Sequence, residues 1–233
     1  MSSLNRLVED IDFVLEASSD DDVRALYDRA AHRYDHFREL WLRFAGGGAE
    51  QAMVGDLAEV VRRDADVLDA GCGTGALARR IRELEPHVAL TMLDLSPEML
   101  RMAGDVPGRR MIGSVLDLPF ASDSFDVVVS AWVIETVSDP ARAVEEFLRV
   151  LRPGGRILYT FCSLPDGWLS RAGSAWLRAA VRRGFAGDFI PIERAPYHDC
   201  TASHRLRFRG GLTTEVSLSS CCHVAPYVLP ARP

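Results

Sequence analysis

Apolar residues fall at helical spacing over residues 4–16 and 21–44. Ser18, Ser19 and Asp20 between them carry the short polar side chains that cap a helix start. Gly46-Gly47-Gly48 ends the second helix, and a third is expected near 49–63. From Ala65 the pattern changes to short apolar runs alternating with helical ones. The strands are 66-DVLDA-70, 88-VALTMLD-94, 110-RMIGSVLD-117, 125-FDVVVSAW-132 and 156-RILYTFC-162. The helices between them are 75-GALARRIRELEP-86, 96-SPEMLRMAG-104 and 140-PARAVEEFLRVL-151, the last leading through the turn 152-RPGG-155. Such alternation with short loops implies a parallel sheet covered on both faces. After Cys162 it stops: residues 167–185 read as a helix, and 203–211 and 212–224 as an antiparallel hairpin at a sheet edge. No repeat or linker divides the chain, so a single domain is expected.

Composition narrows the function. The 233 residues carry a net charge of -6, which argues against a general nucleic-acid binder. All 27 basic residues are Arg, so lysine Schiff-base chemistry is excluded. Residues 163–233 hold nine Arg against five acids, so this stretch is basic while the rest is acidic. No apolar run reaches the roughly 18 residues of a membrane span, and the N-terminus lacks a signal-peptide pattern; a cytoplasmic protein without an integral membrane segment is the expectation. Five cysteines, Cys72, Cys162, Cys200, Cys221 and Cys222, form no CxxC pair. Adjacent Cys221 and Cys222 would point to opposite faces of a strand, so buried thiols are expected rather than a metal site.

In a sheet of this kind ligands bind beyond the carboxyl ends of the strands. The first strand ends at 69-DAGCGTG-75, where glycines let backbone approach a ligand closely. Asp94 ends the second strand, where a carboxylate can accept from both hydroxyls of a ribose. Asp117-Leu118, at the expected end of the third, could read an adenine edge. Two ligands compete: Gly71-x-Gly73-x-x-Ala76 also satisfies the dinucleotide fingerprint, with Asp94 where an NAD enzyme holds its ribose. Asp69 disfavours that reading, because a carboxylate there would repel a pyrophosphate and suits a cationic ammonium. An NAD-dependent oxidoreductase stays as the alternative.

These residues, with 114-SVLDLPF-120, 125-FDVVVSAWVIETVSDP-140 and 152-RPGGRIL-158, resemble the class I S-adenosylmethionine-dependent methyltransferases. Within them the chain is similar to the small-molecule group of quinone-biosynthesis and arsenite enzymes (methyltransferase type 11). The close match covers about residues 65–160. The resemblance implies an α/β, doubly wound, seven-stranded, mostly parallel sheet of order 3-2-1-4-5-7-6, the last strand antiparallel. It implies a helical cap over 1–63 and a cofactor-binding core over 64–162; residues 163–233, outside the match, read from their own pattern as a substrate-side helix and hairpin of the same domain. It also implies S-adenosylmethionine as methyl donor, S-adenosylhomocysteine as product and a small-molecule acceptor. By position, backbone at Gly71, Cys72, Gly73 and Gly75 would cradle the methionine part, with Asp69 near its ammonium. Asp94 would hold the ribose, Leu95 and Met99 pack near the adenine, and Asp117 and Leu118 bind its edge. Ser130 and Ala131 would lie near the methionyl group, with Tyr27 and Tyr34 of 26-LYDRAAHRYDHF-37 closing over it.

A histidine common after the fourth strand in such enzymes is absent; Glu135 and Thr136 stand in that stretch. Glu135, His198 and Tyr34 are the candidate catalytic groups, although transfer needs a base only if the acceptor must lose a proton. Trp168, Leu169, Ala172, Trp176 and Ala180 share one arc of the 167–185 helix, edged by Arg171, Arg178 and Arg182. Such a face suits packing, or a cap favouring an apolar or anionic acceptor. A cofactor-binding protein without catalysis is a further alternative.

Overall fold

The computed structural model describes residues 19–43, 47–164, 190–191, 201–207 and 215–224. The expected helices over 4–16 and 167–185, and the loop carrying His198, Asp199 and Cys200, lie outside the described residues.

Helix α1 (Asp20–Trp41) opens on a capping box. The Ser19 hydroxyl accepts from the Asp22 N–H, and the Asp22 carboxylate accepts from the Ser19 N–H, so two orphan donors are satisfied at once. Asp20, Asp21 and Asp22 also suit the positive end of the helix. Helix α2 follows at Gly47–Val60. Gly47 and Gly48 therefore begin α2 instead of merely stopping α1, which corrects the expectation. A Cβ on Gly47 would lie 2.4 Å from the Leu42 carbonyl oxygen, so glycine lets the second helix start against the end of the first.

The core then runs β1 (Asp66–Ala70), α3 (Ala76–Leu84), β2 (Ala89–Asp94), α4 (Pro97–Met102), β3 (Arg109–Ile112), β4 (Phe125–Ala131), α5 (Pro140–Val150) and β5 (Leu151–Leu164). These five strands form a parallel sheet in the order β3-β2-β1-β4-β5. After β3 the chain crosses back to the far side of β1, which opens a crevice at the carboxyl ends of β1 and β4. Short polar caps aim the helices. Ser96 accepts from the Met99 N–H with Pro97 behind it, and Asp139 accepts from the Arg142 N–H before Pro140.

Successive strand residues feed opposite faces. Val67 packs among Met53, Ile81, Leu90 and Met92 on the α2–α3 side. Leu68 packs among Val128, Phe147 and Tyr159 on the α5 side. Phe147 is fully buried, and burial of such a ring stabilises by roughly 1.5–3 kcal/mol.

The third strand is shorter than the expected 110–117: it stops at Ile112. The Gly113 N–H still reaches the Asp94 carbonyl oxygen at 3.0 Å. Ser114 then turns the chain, its hydroxyl accepting from the Leu116 N–H at 3.2 Å. Asp117 and Leu118 thus lie in a loop against α5 and do not end a strand. The Leu118 N–H is committed to the buried carboxylate of Glu146 at 2.9 Å.

Candidate active site at the carboxyl ends of the strands

The glycine loop after β1 is held from behind. Gly71 and Cys72 both donate N–H to the Leu93 carbonyl oxygen, at 2.7 and 3.0 Å. Gly71 has φ +76°, and a Cβ there would sit 2.4 Å from a Val133 methyl. Gly73 has φ +52°, and its only neighbour within 4 Å of an added Cβ is the Tyr34 ring at 3.6 Å. The first glycine packs the loop against the β4 end; the second leaves backbone open to the crevice. Gly75 completes the turn, its N–H bonded to the Cys72 carbonyl at 2.9 Å. Cys72 is buried, and burial pushes its thiol well above the ordinary value, so it stays a neutral packing group.

Two carboxylates lie beside this loop. Asp94 accepts from the Gly73 N–H at 2.7 Å and the Ser96 N–H at 2.9 Å. Burial pushes its carboxyl up to about 6, although those two amides pull it down. Asp69 is 1% exposed, and its Oδ2 is buried with no hydrogen-bond partner among the described residues. Burial, with the charge of Asp94 next, pushes the Asp69 carboxyl up to about 7. A buried carboxylate oxygen without a partner is costly and marks a place where a cationic donor fits.

The crevice is lined by Tyr27 and Tyr34 from α1, Gly71 and Gly73, Asp94, Leu95 and Met99, and Ala131, while buried Asp69 is not among its lining residues. The two tyrosine rings meet edge to face, 6.0 Å apart at 75°. Burial pushes the Tyr34 phenol well up, with Arg38 opposing and Asp94 and Glu135 adding to the effect. Ser130 is buried behind the wall and donates its hydroxyl to the Ala70 carbonyl at 2.8 Å, tying β4 to β1. Glu135 lies close enough to Tyr34 to influence its phenol.

Sequence reasoning missed part of the lining. Gly113, Ser114 and Val115 face the crevice where Asp117 and Leu118 were expected. Gly113 directly after an apolar run was the available signal, since glycine ends strands. Trp132, Val133, Thr136 and Val137 form the opposite wall. Trp132 takes φ +60°, an uncommon conformation for a bulky residue. Its backbone N–H donates to the Thr160 hydroxyl at 3.1 Å, and its ring meets Trp41 edge to face at 5.8 Å. No local sequence signal marks that backbone. Among the described residues no helix is long and apolar enough to cross a membrane.

The methyltransferase-domain family matches residues 68–159. Over 151 residues the chain is 35% identical to the malonyl-[acyl-carrier protein] O-methyltransferase of Yersinia pestis, covering 61% of this chain and 55% of that protein. It is 31% identical over 160 residues to the ubiquinone/menaquinone biosynthesis C-methyltransferase UbiE of Geotalea daltonii, covering 61% and 64%. The chain thus spans between about half and two thirds of the length of these curated relatives. A SAM-dependent methyltransferase of Thermotoga maritima shares the fold, with TM-score 0.58, 17% identity, and 85% and 99% of the two chains covered.

Proposed function

We propose, from the match of residues 68–159 to the methyltransferase-domain family, that this chain is a class I methyltransferase and transfers the methyl group of S-adenosylmethionine to a small-molecule acceptor. The observation that carries the reading is the buried, partnerless Asp69 Oδ2 beside a glycine loop and a second carboxylate. A cationic amino-acid head joined to a ribose satisfies both acids, whereas a dinucleotide satisfies Asp94 with its ribose and sets a pyrophosphate against Asp69.

In this reading Asp69 takes the ammonium, and backbone at Gly71, Cys72, Gly73 and Gly75 lies along the methionine part. Asp94 takes the ribose hydroxyls. Leu95 and Met99 pack on the adenine. Ser114 and Val115, which line the crevice, replace Asp117 and Leu118 at its edge. Ala131 walls the methionyl side, and Ser130 positions it through Ala70. Tyr27 and Tyr34 close over the top. The sulfonium, when bound, supplies an already activated methyl electrophile. The protein's own task is to align the acceptor and exclude water. Tyr34 can donate a hydrogen bond to an acceptor oxygen. Glu135 is the candidate base for an acceptor that must lose a proton, with His198 outside the described residues.

The full sheet in this reading runs β3-β2-β1-β4-β5-β7-β6, with β6 (Thr201–Arg207) and β7 (Glu215–Val224) as the terminal hairpin. The antiparallel registers Arg156↔Val224 and Thr201↔Cys221 support it. The chain is then one domain: a helical cap over 1–63, the cofactor core over 64–162 and an acceptor side over 163–233. The Arg excess of that last stretch favours an anionic acceptor. The named acceptor of the Yersinia relative, a malonyl group on a carrier protein, makes a carrier-borne acid the second reading.

Labelled methyl transfer from S-adenosylmethionine to a panel of free acids, phenols, quinols and carrier-bound acids tests the proposal. Label appearing on one class, with S-adenosylhomocysteine formed in equal amount, is expected. S-Adenosylhomocysteine binding without any transfer would leave the alternative of a non-catalytic binder.

A further inference from the structure

Helix α1 presents two carboxylates to the loops of the cofactor site. Asp28 Oδ1 accepts from the Ser96 hydroxyl at 2.5 Å and from the Glu98 N–H at 3.3 Å. Asp35 Oδ1 accepts from the Thr74 hydroxyl at 2.5 Å. Ser96 and Thr74 are each 1% exposed, so these hydroxyls have been withdrawn from water and depend on the helix for an acceptor.

The positions of the two hydroxyls matter. Thr74 directly follows Gly73, and Ser96 follows Asp94 by two residues. The Gly73 N–H and the Ser96 N–H are two of the amides that hold the Asp94 carboxylate. The circuit Asp35–Thr74–Gly73–Asp94–Ser96–Asp28 therefore closes through the group that faces the crevice. Asp28 and Asp35 lie seven residues apart, on one face of α1, and each directly follows a crevice tyrosine, Tyr27 and Tyr34. The same docking that makes the two carboxylate contacts sets both rings over the crevice.

Apolar burial holds α1 weakly: Val23 and Ala31 are its only buried residues. Polar contacts must then supply much of the docking. Besides the two carboxylate contacts, Arg38 pairs with Glu50 of α2.

We infer that Asp28 and Asp35 are positioning residues that couple the docking of α1 to cofactor retention. The inference rests on the cofactor reading above. Neither carboxylate touches the cofactor; each fixes a neighbour of Asp94 and the tyrosine beside itself. Docking and cofactor binding then favour each other reciprocally.

The test compares S-adenosylhomocysteine affinity, its dissociation rate, and tryptic cleavage at Arg24, Arg29 and Arg33 in the wild-type chain and in Asp28→Ala/Asp35→Ala. The expected result is a Kd raised about tenfold, mostly through faster dissociation. Ligand-dependent protection of α1 from trypsin should be lost as well. Asp28→Asn/Asp35→Asn keeps an acceptor oxygen at each site and should recover most of the affinity. Should the double alanine variant fold poorly, Asp35→Ala alone carries the comparison with a Kd raised about threefold. A lower melting temperature with unchanged Kd and unchanged protection would overturn the inference while leaving the cofactor reading intact. Failure of the wild-type chain to bind S-adenosylhomocysteine would remove both.

Discussion

Asp69, near the end of β1, and Glu146, on α5, are each 1% exposed, yet their carboxyls shift in opposite directions. Burial pushes both up. At Glu146 that push is outweighed: Arg149 Nη2 and the Leu118 N–H reach Oε2 at 2.7 and 2.9 Å, while Arg142 Nη2 reaches Oε1 at 2.8 Å. Its pKa is held below the ordinary glutamate value. At Asp69 nothing outweighs burial, and the nearby charge of Asp94 adds to it. One region is complete in itself: Glu146 pins the loop carrying Leu118 to α5, and Arg149 also holds the Leu118 and Phe120 carbonyls. The other region leaves Asp69 Oδ2 without a hydrogen-bond partner among the described residues, and in the proposed reading an ammonium supplies it. Folded chains satisfy most of their buried polar groups, so the contrast is one the proposed reading explains.

The sharpest way to break the comparison is Asp69→Asn. In the proposed reading it removes the ammonium's partner, a charged hydrogen bond of ~1.5–3 kcal/mol, so S-adenosylhomocysteine affinity should fall about 10- to 100-fold. The unliganded melting temperature should hold or rise, because an uncompensated buried acid is gone. Calorimetry and thermal melts read the two halves; a destabilised variant with unchanged affinity would reverse the assignment.

Glu146→Gln is the mirror experiment. Loss of the charge on the scaffold carboxylate should lower unfolding free energy by about 2 kcal/mol, a modest figure because both arginines are about one-third exposed (36% and 31%). The Kd for S-adenosylhomocysteine should stay within about threefold. Chemical denaturation beside a binding titration decides it.

Between these in mechanism, though smaller in size, is Gly73→Ala. There is room for the methyl, but φ +52° costs roughly 1–2 kcal/mol for a residue with a Cβ. The methyl also enters the crevice under Tyr34, so a several-fold loss of affinity should accompany about 1 kcal/mol of destabilisation.

The pH dependence should spread its effect over several pH units, and Asp69 and Glu146 should oppose each other. Unfolded Asp69 ionises near the ordinary value of 3.8, the folded one near about 7. Between those values the folded chain binds more protons than the unfolded one. Unliganded stability therefore falls as pH rises from about 4 to 7, by at most ~1.4 kcal/mol per pH unit for that group. Asp94, raised to about 6, acts the same way over a narrower window. Glu146, lowered, contributes stability above its unfolded pKa and loses it as pH falls through the folded one. Melts of wild type, Asp69→Asn and Glu146→Gln across pH 4–8 resolve the slopes. Asp69→Asn should flatten the fall towards neutrality.

The sequence made the local parts legible. Ser96 before Pro97 and Asp139 before Pro140 are caps whose chemistry is written in adjacent residues, and both helices start there. The glycine loop and the two acids flanking it were equally readable, because close backbone approach demands glycine. Asp117 misled for a long-range reason. Val115 and Leu116 extend the apolar run, but a Ser114 turn ends pairing, and Glu146, 28 residues away, takes the Leu118 amide. The start of α2 at Gly47 was hidden for a similar cause, since close approach to Leu42 was invisible locally. The left-handed backbone of Trp132 reflects its tethers to Thr160 and Trp41, and residue type alone pointed away from it.

The most direct measurement is calorimetric titration of the wild-type chain with S-adenosylhomocysteine and with NAD at pH 6 and pH 8, each in two buffers of different ionisation enthalpy. The account predicts one S-adenosylhomocysteine bound per chain, tighter at pH 8 by up to about tenfold. Most of a proton should be released on binding at pH 6 as Asp69 ionises against the ammonium. NAD should not bind. Equal affinity for NAD, or S-adenosylhomocysteine binding with no pH dependence and no proton release, would contradict it.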